Sequence, residues 1–92
     1  MTKKKWSLTF TRDAEKKFLK LDKPIQKRFQ KYIQKILDSG DPREFGKPLK
    51  SNLAGLWRYR IGDYRLICVI EDTQLVITTV DLDHRKDVYD TH

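Results

Sequence analysis

Arg58, Arg60 and Arg65 stand close together in the run WRYRIGDYR. Arg58 and Arg60 are two apart, so on a strand they share a face. Arg65 follows just after Gly62-Asp63, a two-residue hairpin signal in which glycine supplies a positive φ. The three guanidinium groups then form one cluster. Three like charges repel, and their placement makes chemical sense if a phosphate sits between them. The plainer alternative is a solvated sheet face whose aliphatic stems shield the core. Arg65 is the sharpest of the three, because it precedes a strongly apolar strand and should be partly enclosed.

Further along stand His84, Arg85 and Tyr89. One helical turn between Arg85 and Tyr89 would bring them to the same side. Histidine moves a proton near neutral pH, and tyrosine can when nearby cations lower its pKa. Taken singly, a terminal tyrosine is a packing anchor and a lone histidine a structural residue; beside the arginines both become candidates for proton transfer. Asp81, Asp83 and His84 have a spacing too weak for a metal centre, with terminal His92 as the other histidine. No metal is expected. Cys68 lies inside the most apolar strand and reads as core. Neither a glycine-rich phosphate loop nor a Ser/His/Asp arrangement occurs.

These groups need elements to hold them. Leu56–Ile61 alternates, with Trp57, Tyr59 and Ile61 inward and the arginines outward. Tyr64–Glu71 is apolar on both faces in its middle, as a central strand should be. Asp72-Thr73 turns the chain into a third β-branched strand, Gln74–Asp81. Near the start, Trp6–Thr11 alternates as a half-buried edge strand. Asp13 and Glu15 open a first helix, with Ala14, Phe18 and Leu21 at helical spacing. Asp22-Lys23-Pro24 divides it from a second, whose apolar stripe is Ile25, Phe29, Ile33, Ile36 and Leu37. Lys27, Arg28, Lys31 and Lys35 cover the outside of that helix. Ser39-Gly40-Asp41-Pro42 stops it, and 43–53 reads as a loop carrying Lys47 and Lys50. A single helical turn is expected within 86–91. The order is therefore β-α-α-β-β-β over one domain, residues 1–92. The fold class is α+β, an antiparallel sheet with a helical hairpin on one face.

The chain has 92 residues and a net charge of +7, with a pI near 9.6. Residues 1–80 carry 18 Lys/Arg against 9 Asp/Glu, and residues 81–92 carry 2 against 4. The basic excess points to a polyanion or an acidic protein as partner, and the acidic tail stands outside that footprint. One cysteine excludes an internal disulfide and suits a reducing compartment. No apolar run could span a bilayer, and Lys3–Lys5 is not followed by a signal-peptide core. A cytoplasmic protein is expected.

TRDAEKKFLKL, the basic second helix, WRYRIGDYRLICVI and DHRKDVY together resemble the RelE toxins of the RelE/ParE toxin–antitoxin superfamily. The resemblance runs from Trp6 to Tyr89, and GDYRLIC and HRKDVY are its most specific pieces. It implies a toxin that cleaves messenger RNA in the ribosomal A site, without metal or other cofactor. In that chemistry the ribose 2′-hydroxyl attacks the adjacent phosphate, leaving a 2′,3′-cyclic phosphate and a 5′-hydroxyl. A RelB-like antitoxin would suppress it, and operator DNA would be met only through that antitoxin. By the resemblance, Arg65 contacts the reacting phosphate, Arg58 and Arg60 are the basic residues of the preceding strand, and Arg85 follows the last strand. Tyr89 is the terminal tyrosine that transfers a proton or stacks on a base. Where some relatives carry lysine, Arg58 and Arg60 stay protonated and suit charge stabilisation rather than base catalysis. The base is then Tyr89 or His84. The surface of Lys27, Arg28, Lys31, Lys35, Lys47 and Lys50 would hold ribosomal RNA. Two other readings compete: a ParE-type inhibitor of DNA gyrase without nuclease activity, and a non-catalytic basic RNA-binding module.

Overall fold

The computed structural model describes residues 5–50 and 54–84. The elements are β1 (Ser7–Phe10), α1 (Arg12–Leu19), α2 (Lys23–Ser39), β2 (Lys47–Pro48), β3 (Trp57–Ile61), β4 (Tyr64–Glu71) and β5 (Val76–His84). They form one sheet in the order β1-β5-β4-β3-β2, with the helical hairpin against it.

Local chemistry explains each helix. Thr11 is extended and its Oγ1 accepts from the Ala14 N–H at 3.2 Å, capping α1, whose first turn carries Asp13 and Glu15. Asp22 precedes α2, Pro24 lies in its first turn, and Gly40 ends it in a left-handed conformation at φ 75°. The link between the helices is tied by Gln26. Its Nε2 donates to the Leu19 carbonyl at 3.3 Å and to the Leu21 carbonyl at 2.8 Å. Two carbonyls at the end of α1 thus gain a partner, which explains why a glutamine is 9% exposed on an otherwise apolar helix face.

Three details differ from the sequence reading. The sheet is antiparallel except that β1 pairs parallel with β5, Ser7 opposite Val76 through Phe10 opposite Thr79. Hairpin logic cannot reveal that contact, because the two strands are joined through everything between them. Second, the loop after α2 contributes the short strand β2, which pairs with β3. Third, β5 begins at Val76 and runs to His84, the preceding turn placing Leu75 at φ 56°. The expected turn within 86–91 lies outside the described residues.

The strand β5 also carries a bulge. Ile67 faces Asp81 while Cys68 faces Thr79, so Val80 has no direct partner. Ile77 and Thr79 are fully buried, and plain alternation would carry Asp81 and Asp83 into the core after them. The extra residue reverses the phase. Leu82 becomes the buried residue, 6% exposed, and the two aspartates fall on the opposite side of the strand from it, out of the core.

The core joins Phe29 and Ile36 of α2 to Tyr59, Ile61, Leu66, Cys68, Ile77 and Leu82 of the sheet. Cys68 is sealed there beside the Thr79 hydroxyl at 3.3 Å, and burial pushes its thiol up to about 11. Tyr59 is fully buried and its hydroxyl donates to the Pro42 carbonyl at 2.5 Å. Burial drives that phenol far above its ordinary pKa. Gly46 passes so close to the ring that an added Cβ would lie 2.9 Å from it. Arg43 completes the attachment of the loop, with two 2.8 Å bonds to Asp72 and its guanidinium 5.4 Å from the centre of the Trp57 ring.

Tyr59→Phe should therefore lower stability by about 1–2 kcal/mol, because a buried carbonyl loses its donor. The check is a shifted urea midpoint with unchanged slope.

Candidate functional site

The hairpin that positions the arginines turns at Gly62-Asp63, with Gly62 at φ 60°. Its register sets Arg60 directly opposite Arg65 and Arg58 opposite Ile67. Because directly opposed residues share a face, Arg58, Arg60 and Arg65 all project from the side away from the helices. Lys47 of β2 lies opposite Arg58 and joins them. The sequence reading grouped Lys47 with the loop and helix lysines; pairing brings it to the arginine face instead. Two like-charged pairs, Lys47/Arg58 and Arg60/Arg65, thus stand directly opposed across adjacent strands, an arrangement that costs stability unless negative charge offsets it.

One row contains such a charge. Arg65 also lies opposite Asp83, so Arg60, Arg65 and Asp83 run in line across three strands. The Arg65 Nη2 is 3.9 Å from Asp83 Oδ2, with the two side chains 23% and 29% exposed. The Arg65 Nε is buried and has no hydrogen-bond partner among the described residues. A charged donor withheld from water without an acceptor is costly, by about 1–3 kcal/mol or more, and an anionic oxygen would relieve it. The other aspartate is engaged elsewhere. Asp81 Oδ1 is 2.6 Å from the Lys17 ammonium, and that hydrogen bond raises the Lys17 pKa.

Among the described residues, His84 stands apart from Arg58, Arg60 and Arg65. It lies opposite Tyr64, and the two rings meet edge to face with centroids 4.7 Å apart. Tyr64 in turn packs on Phe29, Phe29 on Phe18, and Phe18 on Phe10. His84 therefore belongs to an aromatic file on the helix side of the sheet, the consequence of the bulge. Arg85 and Tyr89 lie outside the described residues. The potential metal ligands are dispersed: Asp81 on Lys17, Asp83 beside Arg65, and His84 on the opposite face. Among the described residues no group of three or more His, Cys, Asp or Glu side chains could hold a metal.

The remaining basic residues split into distinct settings. Lys27, Lys31 and Lys35 are exposed along α2. Lys31 and Lys35 line an open groove of about 560 Å³ with Gln34, Asp38, Ser39 and Phe45. The Lys35 ammonium sits 5.1 Å from the centre of the Phe45 ring. Arg28 reaches the hairpin instead, its Nη1 only 2.9 Å from where a Cβ on Gly62 would stand. Lys50 is exposed beyond β2. Sequence reasoning missed the tie between Asp83 and Arg65. The signal was a strand in which buried residues fall three apart, at Thr79 and Leu82, but nothing in the residue types announces which one bulges.

Comparison with known proteins places this geometry in context. The family model for the ParE toxin of the type II toxin–antitoxin system parDE matches residues 8–89. Toxin RelG of Mycobacterium tuberculosis is 41% identical over 51 residues, an alignment covering 55% of this chain and 59% of that protein. The chain thus spans well under two thirds of that relative. The toxin–antitoxin complex RelBE2 of the same organism contains a chain of similar fold, with a TM-score of 0.79 and 29% identity over 88% of this chain and 92% of that one. A mutant of Escherichia coli toxin RelE in the free state shares the fold at a TM-score of 0.73 and 21% identity, covering 95% and 93% of the two chains.

Inorganic phosphate titrated at low ionic strength should shift the backbone amides around Arg58, Arg60 and Arg65 and leave those of α1 in place. Two-dimensional NMR reads this directly, and added salt should suppress the shifts.

Proposed function

The chain belongs to the ParE toxin family of type II toxin–antitoxin systems, within the RelE/ParE superfamily, and from that premise we propose that it is a ribosome-dependent messenger RNA endoribonuclease. The observation that carries this reading is the registered arginine face of β3 and β4, with the orphaned Nε–H of Arg65 at its centre. Such a face suits a phosphate that gains charge during reaction. As the 2′-oxygen gives its proton to the base and bonds to phosphorus, the bond to the 5′-oxygen breaks and that oxygen takes a proton from water to leave as the 5′-hydroxyl; the phosphorane between carries more negative charge than the ground state. Fixed cations that meet the added charge lower the barrier.

Arg65 and Arg85 neutralise the phosphorane, with Arg58 and Arg60 contributing from the preceding strand. Arginine remains protonated, so the four act by charge and hydrogen bonding rather than as bases. Of the two candidates for the base, His84 packs on Tyr64 across the sheet, which leaves Tyr89 to accept the 2′-hydroxyl proton or stack on the exposed base. No metal or other cofactor enters the scheme. The ribosome holds the message in its A site, while Lys27, Arg28, Lys31, Lys35 and Lys50 contact ribosomal RNA in a salt-dependent way and Lys47 adds its charge to the arginine face. The toxin acts in the cytoplasm, where a RelB-like antitoxin restrains it and links it to operator DNA. The likeness to a chain from a RelBE2 toxin–antitoxin complex supports that partner. No helix among the described residues is long and apolar enough to cross a membrane.

A second reading has its own support, because the matching family is described by ParE. It is inhibition of DNA gyrase without RNA cleavage. Induction in a host lacking the antitoxin separates the two. The nuclease reading expects methionine incorporation to fall before thymidine incorporation; early induction of the DNA-damage response supports gyrase. Arg65→Ala should reduce RNA cleavage by roughly 100-fold or more and relieve growth inhibition. Antitoxin binding should persist, as measured by co-purification.

A further inference from the structure

The aspartate in the arginine row calls for a chemical role, since a carboxylate beside an anion site opposes the binding that the site is built for. We propose that Asp83 is a positioning residue for Arg65, its negative charge beside the Nη2 corner orienting the guanidinium so that the Nε–H is kept for the reacting phosphate. The inference rests on the reading of this face as the phosphate site.

Three observations carry it. The register puts Asp83 directly opposite Arg65, and Arg65 directly opposite Arg60. Asp83 Oδ2 stands 3.9 Å from Nη2, whereas Nε is sealed from solvent and without an acceptor among the described residues. The bulge at Val80 turns Asp81 and Asp83 toward this face, but Asp81 is held by Lys17. Among the described residues, that leaves Asp83 as the carboxylate in the row of Arg60 and Arg65.

The guanidinium is planar, with five donors in a fixed fork, so a negative charge drawing one corner biases the direction of the rest. Left alone between Arg60 and the backbone, Arg65 would be driven outward by the like charge opposite it. Asp83 opposes that drift. The carboxylate weakens anion binding somewhat and repays this in orientation, because catalysis depends on donors aimed where charge develops.

The experiment compares wild type, Asp83→Asn, Asp83→Glu and Arg65→Lys on a ribosome-bound message of defined sequence. Asp83→Asn should lower kcat about tenfold while KM holds or falls, since a negative charge has left the site. Asp83→Glu should recover activity to within about threefold of wild type. On the Arg65→Lys background, Asp83→Asn should cost less than about twofold, because the group it orients has already changed. Effects that multiply, or an Asp83→Asn enzyme with wild-type kcat, would overturn the proposal. The Arg65 Nε–H resonance reports orientation without any cleavage. In wild type it should be sharp and slow to exchange, and in Asp83→Asn broadened or lost, while the backbone amide spectrum keeps its folded dispersion. A wild-type protein that cuts no RNA but shows this change refutes the nuclease reading and retains the positioning role. A protein that cuts RNA with the resonance unaltered in Asp83→Asn does the reverse.

Discussion

Strand β5 must bury side chains along its whole length while bordering the arginine face, and one extra residue lets it do both. Before the bulge it buries Ile77 and Thr79; after it, Leu82 goes inward. Asp81 and Asp83 consequently reach the other face, where one binds Lys17 and the other lies beside Arg65. The same phase change sends His84 onto Tyr64. Without Val80 as the unpaired residue, two carboxylates would meet the core, at a large desolvation cost. The composition of the candidate site therefore depends on a backbone irregularity about as much as on the residues themselves.

The second constraint is electrostatic. Opposed like charges on neighbouring strands reduce stability, and this sheet holds Lys47 opposite Arg58 and Arg60 opposite Arg65. The scaffold beneath must tolerate that load. It is anchored by the fully buried Tyr59, held at Pro42 and packed against Gly46, and by the aromatic file from Phe10 through Phe29 to Tyr64. A rigid sheet suits an anion site because donors fixed before reaction need no reorganisation during it.

Much of this was legible in the residues. The period of two in WRYRIGDYR and the Gly62-Asp63 turn place the three arginines on one face, since alternation and a two-residue hairpin leave little freedom. The helical hairpin follows from Pro24, Gly40 and the apolar stripe through Phe29 and Ile36. Three things were hidden. The parallel β1–β5 pairing joins segments far apart in sequence. The strand Lys47–Pro48 is too short to show a period. The bulge reverses the alternation on which the placement of Asp83 and His84 depends, and Val80 is itself an ordinary strand residue.

The central claim is that this arginine face acts on the phosphates of a ribosome-bound message. Primer extension on a defined messenger RNA translated in vitro, with and without the purified protein, tests it most directly. The account predicts cuts confined to ribosome-occupied codons, with 2′,3′-cyclic phosphate ends. A message left intact at saturating protein would contradict it, and would reduce the arginines to a binding surface.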